Sequence, residues 1–108
     1  MAVVGSAVKQ PVERLDYDFN YTKFLDISGE LQEDSLPADL IPIITITPND
    51  SDVGGLIHDE SFVDAANNSV KIWLRGGING TTYKVEITIE TTFGRFKQDE
   101  LFIVIVDF

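Results

Sequence analysis

Two stretches of strict alternation decide what this chain can fold into. In the first, Val70, Ile72 and Leu74 take one side and Lys71, Trp73 and Arg75 the other. In the second, Tyr83, Val85, Ile87 and Ile89 alternate with Lys84, Glu86, Thr88 and Glu90. A period of two is the side-chain period of a strand with one buried and one wet face. Leu15, Tyr17 and Phe19 repeat the pattern against Asp16, Asp18 and Asn20, while apolar residues at helical spacing are absent over any useful length. Ile43 to Thr47 is β-branched throughout and is stopped by Pro48, the composition of a strand and its end. The chain therefore predicts an all-β sandwich of about seven antiparallel strands, with residues 70–108 as its closing sheet.

The intervals between these runs carry turn chemistry. Asn49 to Gly55 and Ala65 to Ser69 are rich in Asn, Asp, Ser and Gly, and Thr92-Phe93-Gly94 reads as a hairpin turn whose glycine supplies a positive φ. Tyr21 to Leu25 reads as a single helical turn plugging Phe24 and Leu25 into the core. Leu31 and Leu36 are the expected anchors of the acidic stretch from Glu30 to Asp39, and a short edge strand is expected around Ser61 to Val63. Residues 1–11 are small and weakly patterned, and predict an arm, disordered alone or ordered only against a partner. The sandwich then runs from residue 12 to 108. Its last strand, from about Arg95 to Asp107, is apolar on both faces between Leu101 and Val106, which predicts cover on both sides, from the core and from a neighbour or the arm.

A corner joins the two alternating runs. In immunoglobulin-like sandwiches a tyrosine opening the penultimate strand packs under the turn before it and sends its hydroxyl back to an upstream backbone group. Asn79-Gly80-Thr81-Thr82-Tyr83 has that form, and Gly76 and Gly77 let the chain leave the preceding strand sharply. Gly76, Gly77, Gly80 and Tyr83 are accordingly expected to be structural. The plainer alternative is a Gly-rich loop beside a core tyrosine.

Composition excludes several function classes. A chain of 108 residues without cysteine has the size of one domain and is held by apolar packing, with no disulfide or thiol chemistry. The net charge is −10, and the few, scattered Lys and Arg residues are the opposite of a phosphate-binding cluster, so no nucleic-acid partner is expected. Residues 13–64 carry thirteen acids and two bases, against five of each in residues 65–108. That asymmetry is either a solvated acidic face or a surface for a basic partner. No apolar run reaches spanning length and the start has neither a basic flank nor a long apolar segment, so neither a membrane partner nor a secretion signal is expected.

Catalytic machinery is not expected either. His58 stands beside Asp59, Glu60 and Ser61, but triads are assembled in space from separate elements, and a lone loop histidine reads as solvated. Asp50 and Asp52 have the spacing of a calcium loop, yet Gly54 and Ser61 stand where further oxygen ligands belong. Only a weak site at Asn49, Asp50 and Asp52 remains open, and no metal or cofactor is assigned.

The order of elements carries a resemblance. Tyr17-Asp18-Phe19, Phe24-Leu25, Gly29-Glu30-Leu31, Ile43 to Pro48, Val70 to Tyr83 with its Gly-Gly-x-x-Gly-Thr-Thr-Tyr element, and Thr91-Thr92-Phe93-Gly94-Arg95 follow one another. This resembles the small immunoglobulin-like virion structural proteins of tailed bacteriophages, over roughly residues 12–108. The resemblance implies a non-enzymatic virion protein, with a fibre–tail adaptor slightly favoured and a capsid decoration protein as the alternative. It also implies other virion proteins as partners and several symmetric copies in the particle. The chain departs from the pattern in its acidity and in the insertion-like stretch Ile57 to Val63.

Within such a protein the candidate partner-binding residues are Trp73 with Lys71 and Arg75, and Phe102 and Val104 on the terminal strand. An aromatic flanked by cations on an outer sheet face has the composition of an interface centre. It also suits a ring lying over its own sheet and shielding cross-strand neighbours such as Thr88. A third use, stacking on a sugar in a carbohydrate-binding sandwich, rests on this single ring.

Overall fold

A computed structural model describes residues 2–25, 34–49 and 55–107. Seven strands run in the order β1 (Ala2–Lys9), β2 (Arg14–Asn20), β3 (Ile43–Pro48), β4 (Leu56–Asp64), β5 (Ser69–Gly76), β6 (Thr82–Glu90) and β7 (Phe96–Ile105). A single helical turn, α1 (Thr22–Leu25), follows β2, and a 3₁₀ turn (Ala65–Asn67) links β4 to β5. One sheet has the order β1-β7-β6-β3 and the other β2-β5-β4.

The alternating runs supply the two inner faces. Val70, Ile72 and Leu74 of β5 face Val85, Ile87 and Ile89 of β6 and Ile103 and Ile105 of β7, all within 1 % of complete burial. Each such side chain contributes about 1.5–3 kcal/mol over its exposed state. Leu25 of α1 is buried and Phe24 packs against the same cluster, as does buried Leu36. Leu31 and the Asp50–Asp52 pair lie outside the described residues.

Three features differ from the sequence-based expectation. Residues 70–108 do not form one sheet: β5 lies in the three-stranded layer and β6 and β7 in the other, so the glycine corner carries the chain across the sandwich. Alternation reports which side of a strand is buried, and both layers bury one side against the same core. Second, Ala2–Lys9, expected as an arm, is strand β1, paired with β7 from Ala2↔Asp99 to Lys9↔Ile105. Third, that pairing is parallel, whereas the other four strand pairings are antiparallel. With β1 on one side and β6 on the other, β7 is an interior strand; Leu101, Ile103 and Ile105 point into the core, while Phe102 and Val104 stay half-buried on its outer face.

Lys9 anchors the end of β1. Its Nζ donates to the carbonyls of Gln10 (2.8 Å) and Gly76 (2.6 Å) with no exposed surface, and burial pulls its pKa down against the opposing pull of Glu13. A lysine is buried this completely only when its charge is satisfied. Gly76 sits at φ 78°, and a Cβ there would run into the Gly55 carbonyl oxygen, so this crossing accepts only glycine without rearrangement.

Candidate functional site

The corner assembles as a compact hydrogen-bonded unit. Tyr83 is 1 % exposed at the start of β6, and its hydroxyl accepts the Ile78 backbone N–H at 3.2 Å. Gly77 N–H donates to Gly55 O (2.9 Å) and Gly80 N–H to Ile105 O (2.9 Å). Gly76, Gly77 and Gly80 all have positive φ. The turn is thus tied to β7 and to the chain entering β4, and Tyr83 fills the space beneath it.

A second knot closes the opposite end. The turn Thr91–Gly94, with Gly94 N–H on Thr91 O (2.9 Å) and Thr91 N–H on Arg95 O (2.8 Å), delivers Arg95 to Asp34. The Arg95 guanidinium donates to Asp34 Oδ2 (2.8 Å) and to Phe24 O (2.9 Å), and lies 4.2 Å from the Phe24 ring centroid. Asp34 Oδ1 accepts from the backbone N–H groups of Ser35 (2.9 Å) and Phe93 (3.1 Å) and from the Thr92 hydroxyl (3.1 Å). Burial alone would raise the pKa of this 4 % exposed acid, but hydrogen bonds from Thr91 and Arg95 side chains and the Ser35 and Phe93 backbone bring it down to about 2. The Thr-x-x-Gly-Arg element therefore has a structural use in this chain: it builds a turn and a buried ion pair.

The five candidate partner-binding residues do not share a surface. Lys71, Trp73 and Arg75 stand on the outer face of β5, in the three-stranded sheet, while Phe102 and Val104 stand on the outer face of β7, in the four-stranded sheet. The two groups look out from opposite sides of the sandwich. Thr88 belongs to β6, in the other sheet from Trp73, so it is no cross-strand neighbour of the ring.

Around Trp73 the face is densely paired. The residues opposite it are Asp16 on β2 and Glu60 on β4. Arg14 lies over the indole at 4.5 Å and donates to Asp59 and Glu60, each at 2.8 Å. Arg75 also pairs with Asp59, and Lys71 with Asp16 at 3.2 Å. The two arginines hold the Asp59 carboxyl below its usual range, Arg75 first and Arg14 second, and Asp16 raises the Lys71 ammonium. The cations expected to await a partner are engaged with carboxylates of their own sheet. Beside the ring an open groove of about 440 Å³ is bounded by Asp18, Phe62, Asp64, Lys71 and Trp73, with Phe62 54 % exposed.

A bulge explains the acids. His58 pairs with Leu74 and Glu60 with Trp73, leaving Asp59 as the extra residue. A bulge sets two residues against one, and here Asp59 and Glu60 both meet Arg14. It also corrects the reading of His58, which is a half-buried strand residue opposite core Leu74, with its Nε2 buried and unpaired among the described residues. Arg14, Asp59, Glu60 and Phe62 were not legible as one group, because a bulge leaves no mark in the alternation that a loop would not also leave. Phe62 alone had a signal, as an aromatic inside the expected edge strand.

On the opposite side, Phe102 stands across from Lys84 and Ser6, and Val104 across from Thr82 and Val8. Val8 is 55 % exposed, so β1 continues this surface outward. Among the described residues no group of three or more His, Asp or Glu side chains has the spacing of a metal site, and no helix is long and apolar enough to cross a membrane.

A family model described as podophage GP4 fiber-tail adaptor protein gp77 matches residues 9–104. That span takes in the end of β1, both outer faces, the corner and the Asp34–Arg95 knot. No curated protein matches.

Proposed function

This chain belongs to the podophage GP4 fiber-tail adaptor family, and from that premise we propose that it is a non-enzymatic, immunoglobulin-like joint that holds a fibre to the tail. The family makes it a tail-associated structural protein of the virion. Its work is then binding energy and geometry, and the match across residues 9–104 is the observation that carries this reading. An adaptor has to hold two neighbours at once. Trp73 and Phe62 on one outer face, and Phe102 and Val104 on the other, give a rigid sandwich two apolar centres pointing opposite ways. Asp18 and Asp64, which border the groove beside Trp73, suit a partner surface with basic side chains at its rim. Arg14 already lies over the indole, which favours protein docking over sugar stacking.

The test is protein quantification by mass spectrometry on purified particles, and on tails detached from heads. The chain is expected with the tail, in a low copy number set by tail symmetry. Recovery with the capsid shell in numbers following the capsid lattice would replace the adaptor reading with decoration, and absence from the particle would overturn both. Within the tail, Trp73→Ala is expected to leave the fold intact and to weaken attachment of one neighbour, while Phe102→Ser weakens attachment of the other.

A further inference from the structure

The outer face of the three-stranded sheet is short of positive charge at one end. Arg14 and Arg75 are taken up by Asp59 and Glu60, and Lys71 by Asp16. Asp18 and Asp64 remain, and among the described residues neither forms an ion pair. Asp64 accepts only neutral donors, the Asn67 backbone N–H at 3.3 Å and the Asn67 side-chain amide at 2.7 Å. Both carboxylates therefore keep their negative charge turned toward whatever lies on this end of the face.

The register puts these acids on either side of an aromatic groove. Asp18 on β2 and Phe62 on β4 both stand opposite Lys71, and Asp64 stands opposite Ser69. Residues opposite one another share a face, and so do alternate residues of one strand. Asp18, Phe62, Asp64, Ser69, Lys71 and Trp73 accordingly look out together, and they bound the open groove of about 440 Å³. β2 and β4 flank β5 at a strand spacing of roughly 4.8 Å each, so Asp18 and Asp64 form opposite walls with room between them. The Lys71 ammonium is drawn to Asp16, the residue opposite Trp73, at 3.2 Å. Its charge thus sits at the Trp73 end, and its apolar stem lines the groove. Phe62 is 54 % exposed, an open ring beside unmatched carboxylates.

Arg14 shows what such a surface holds. Its guanidinium lies over Trp73 at 4.5 Å and donates to Asp59 and Glu60 at 2.8 Å each. The groove repeats those ingredients further along the same face, one aromatic ring and two carboxylates, without a guanidinium of its own. We propose that the groove seats one arginine side chain of a partner protein, its guanidinium against Phe62 and between Asp18 and Asp64. A planar, weakly hydrated guanidinium stacks on a ring while its edge donates to carboxylates, which a compact ammonium does less well. That a virion neighbour supplies this arginine rests on the adaptor reading; the chemistry of the groove does not.

The probe is a capped glycine–arginine–glycine tripeptide, with a counterpart in which neutral citrulline replaces arginine, titrated into the full chain. Trp73 is the only tryptophan, so its fluorescence reports binding at this face, and NMR amide shifts locate it. The arginine peptide is expected to change the fluorescence and to shift the Asp18, Phe62 and Ser69 amides, with binding weakened by added salt. The citrulline peptide is expected to bind about fivefold more weakly. Asp18→Asn and Glu100→Gln each remove one negative charge, the second from the outer face of the other sheet. Asp18→Asn is expected to weaken the arginine peptide about threefold, and Glu100→Gln to leave it unchanged. Phe62→Leu keeps an apolar wall but loses the ring, and is expected to weaken it about twofold. All variants are checked for folding by circular dichroism. Equal binding of both peptides, equal effects of Asp18→Asn and Glu100→Gln, or shifts centred on another surface overturn the proposal. Concentration-dependent shifts of Asp18, Phe62 and Ser69 without peptide also overturn it, by making a second copy the occupant. Arginine-selective binding by a chain that is absent from tails would leave the seat standing and remove the adaptor reading; the reverse result would do the opposite.

Discussion

Replacing Asp34 by asparagine tests whether the knot under the Thr91–Gly94 turn holds the end of the sandwich. Asp34→Asn keeps the shape and one acceptor, but places an amide where Oδ2 receives the Arg95 guanidinium at 2.8 Å. The magnitude follows from the native pKa. A carboxyl held at about 2 against an ordinary 3.8 contributes about 2 kcal/mol at neutral pH. Because the folded value is depressed, this contribution is complete above pH 4 and fades as pH falls through 2. The amide also leaves Arg95 short of an acceptor, so the expected loss at pH 7 is about 2–3 kcal/mol. Urea denaturation should show a midpoint lowered by roughly 1–2 M. The decisive comparison is the same experiment near pH 2, where wild type and variant should converge to within about 1 kcal/mol as the native carboxyl protonates. A loss below about 0.5 kcal/mol at pH 7, or a loss of the same size at both pH values, would refute the assignment of a buried, ionised Asp34.

Other perturbations probe the corner and the first strand. Tyr83→Phe removes the acceptor for Ile78 N–H and should lower stability by about 1–3 kcal/mol, read from chemical denaturation with an unchanged far-ultraviolet spectrum. Gly76→Ala demands a positive φ of an alanine and drives its Cβ into the Gly55 carbonyl; a loss of about 2 kcal/mol or more is expected, and a neutral result would contradict the tight crossing. Deleting residues 2–8 should lower the melting temperature and produce association, measured by light scattering, because it bares the apolar edge of β7. A loosely attached arm would be removable without either effect.

What could be read from the chain depended on how local the signal was. β5, β6 and the turn at Gly94 declare themselves by alternation and glycine placement within a dozen residues, and Tyr83 follows from the phase of β6. β1 did not, since its residues are small and its partner β7 lies at the far end of the sequence in a parallel pairing that no hairpin announces. Lys9 gave no sign of burial, because only the approach of the Gly76 carbonyl makes its interior position tolerable. The phase of each strand was legible, but the sheet it joins was not. For that reason Trp73 and Phe102 stand in one candidate set by sequence, and only the structure separates them onto opposite sides. The bulge at Asp59 was hidden for the same reason: register is a property of two strands, and the arginines that gather its acids come from β2 and β5. The position of β3 at the end of its sheet, with β6 as its neighbour among the described strands, was visible beforehand only as propensity.

Cryo-electron microscopy of the intact particle at a resolution that traces strands addresses the central claim directly. The sandwich is expected between fibre and tail, its Trp73 face against one neighbour and its Phe102 face against the other. Finding it on the capsid shell, or in the tail with both faces turned to solvent, would contradict the account.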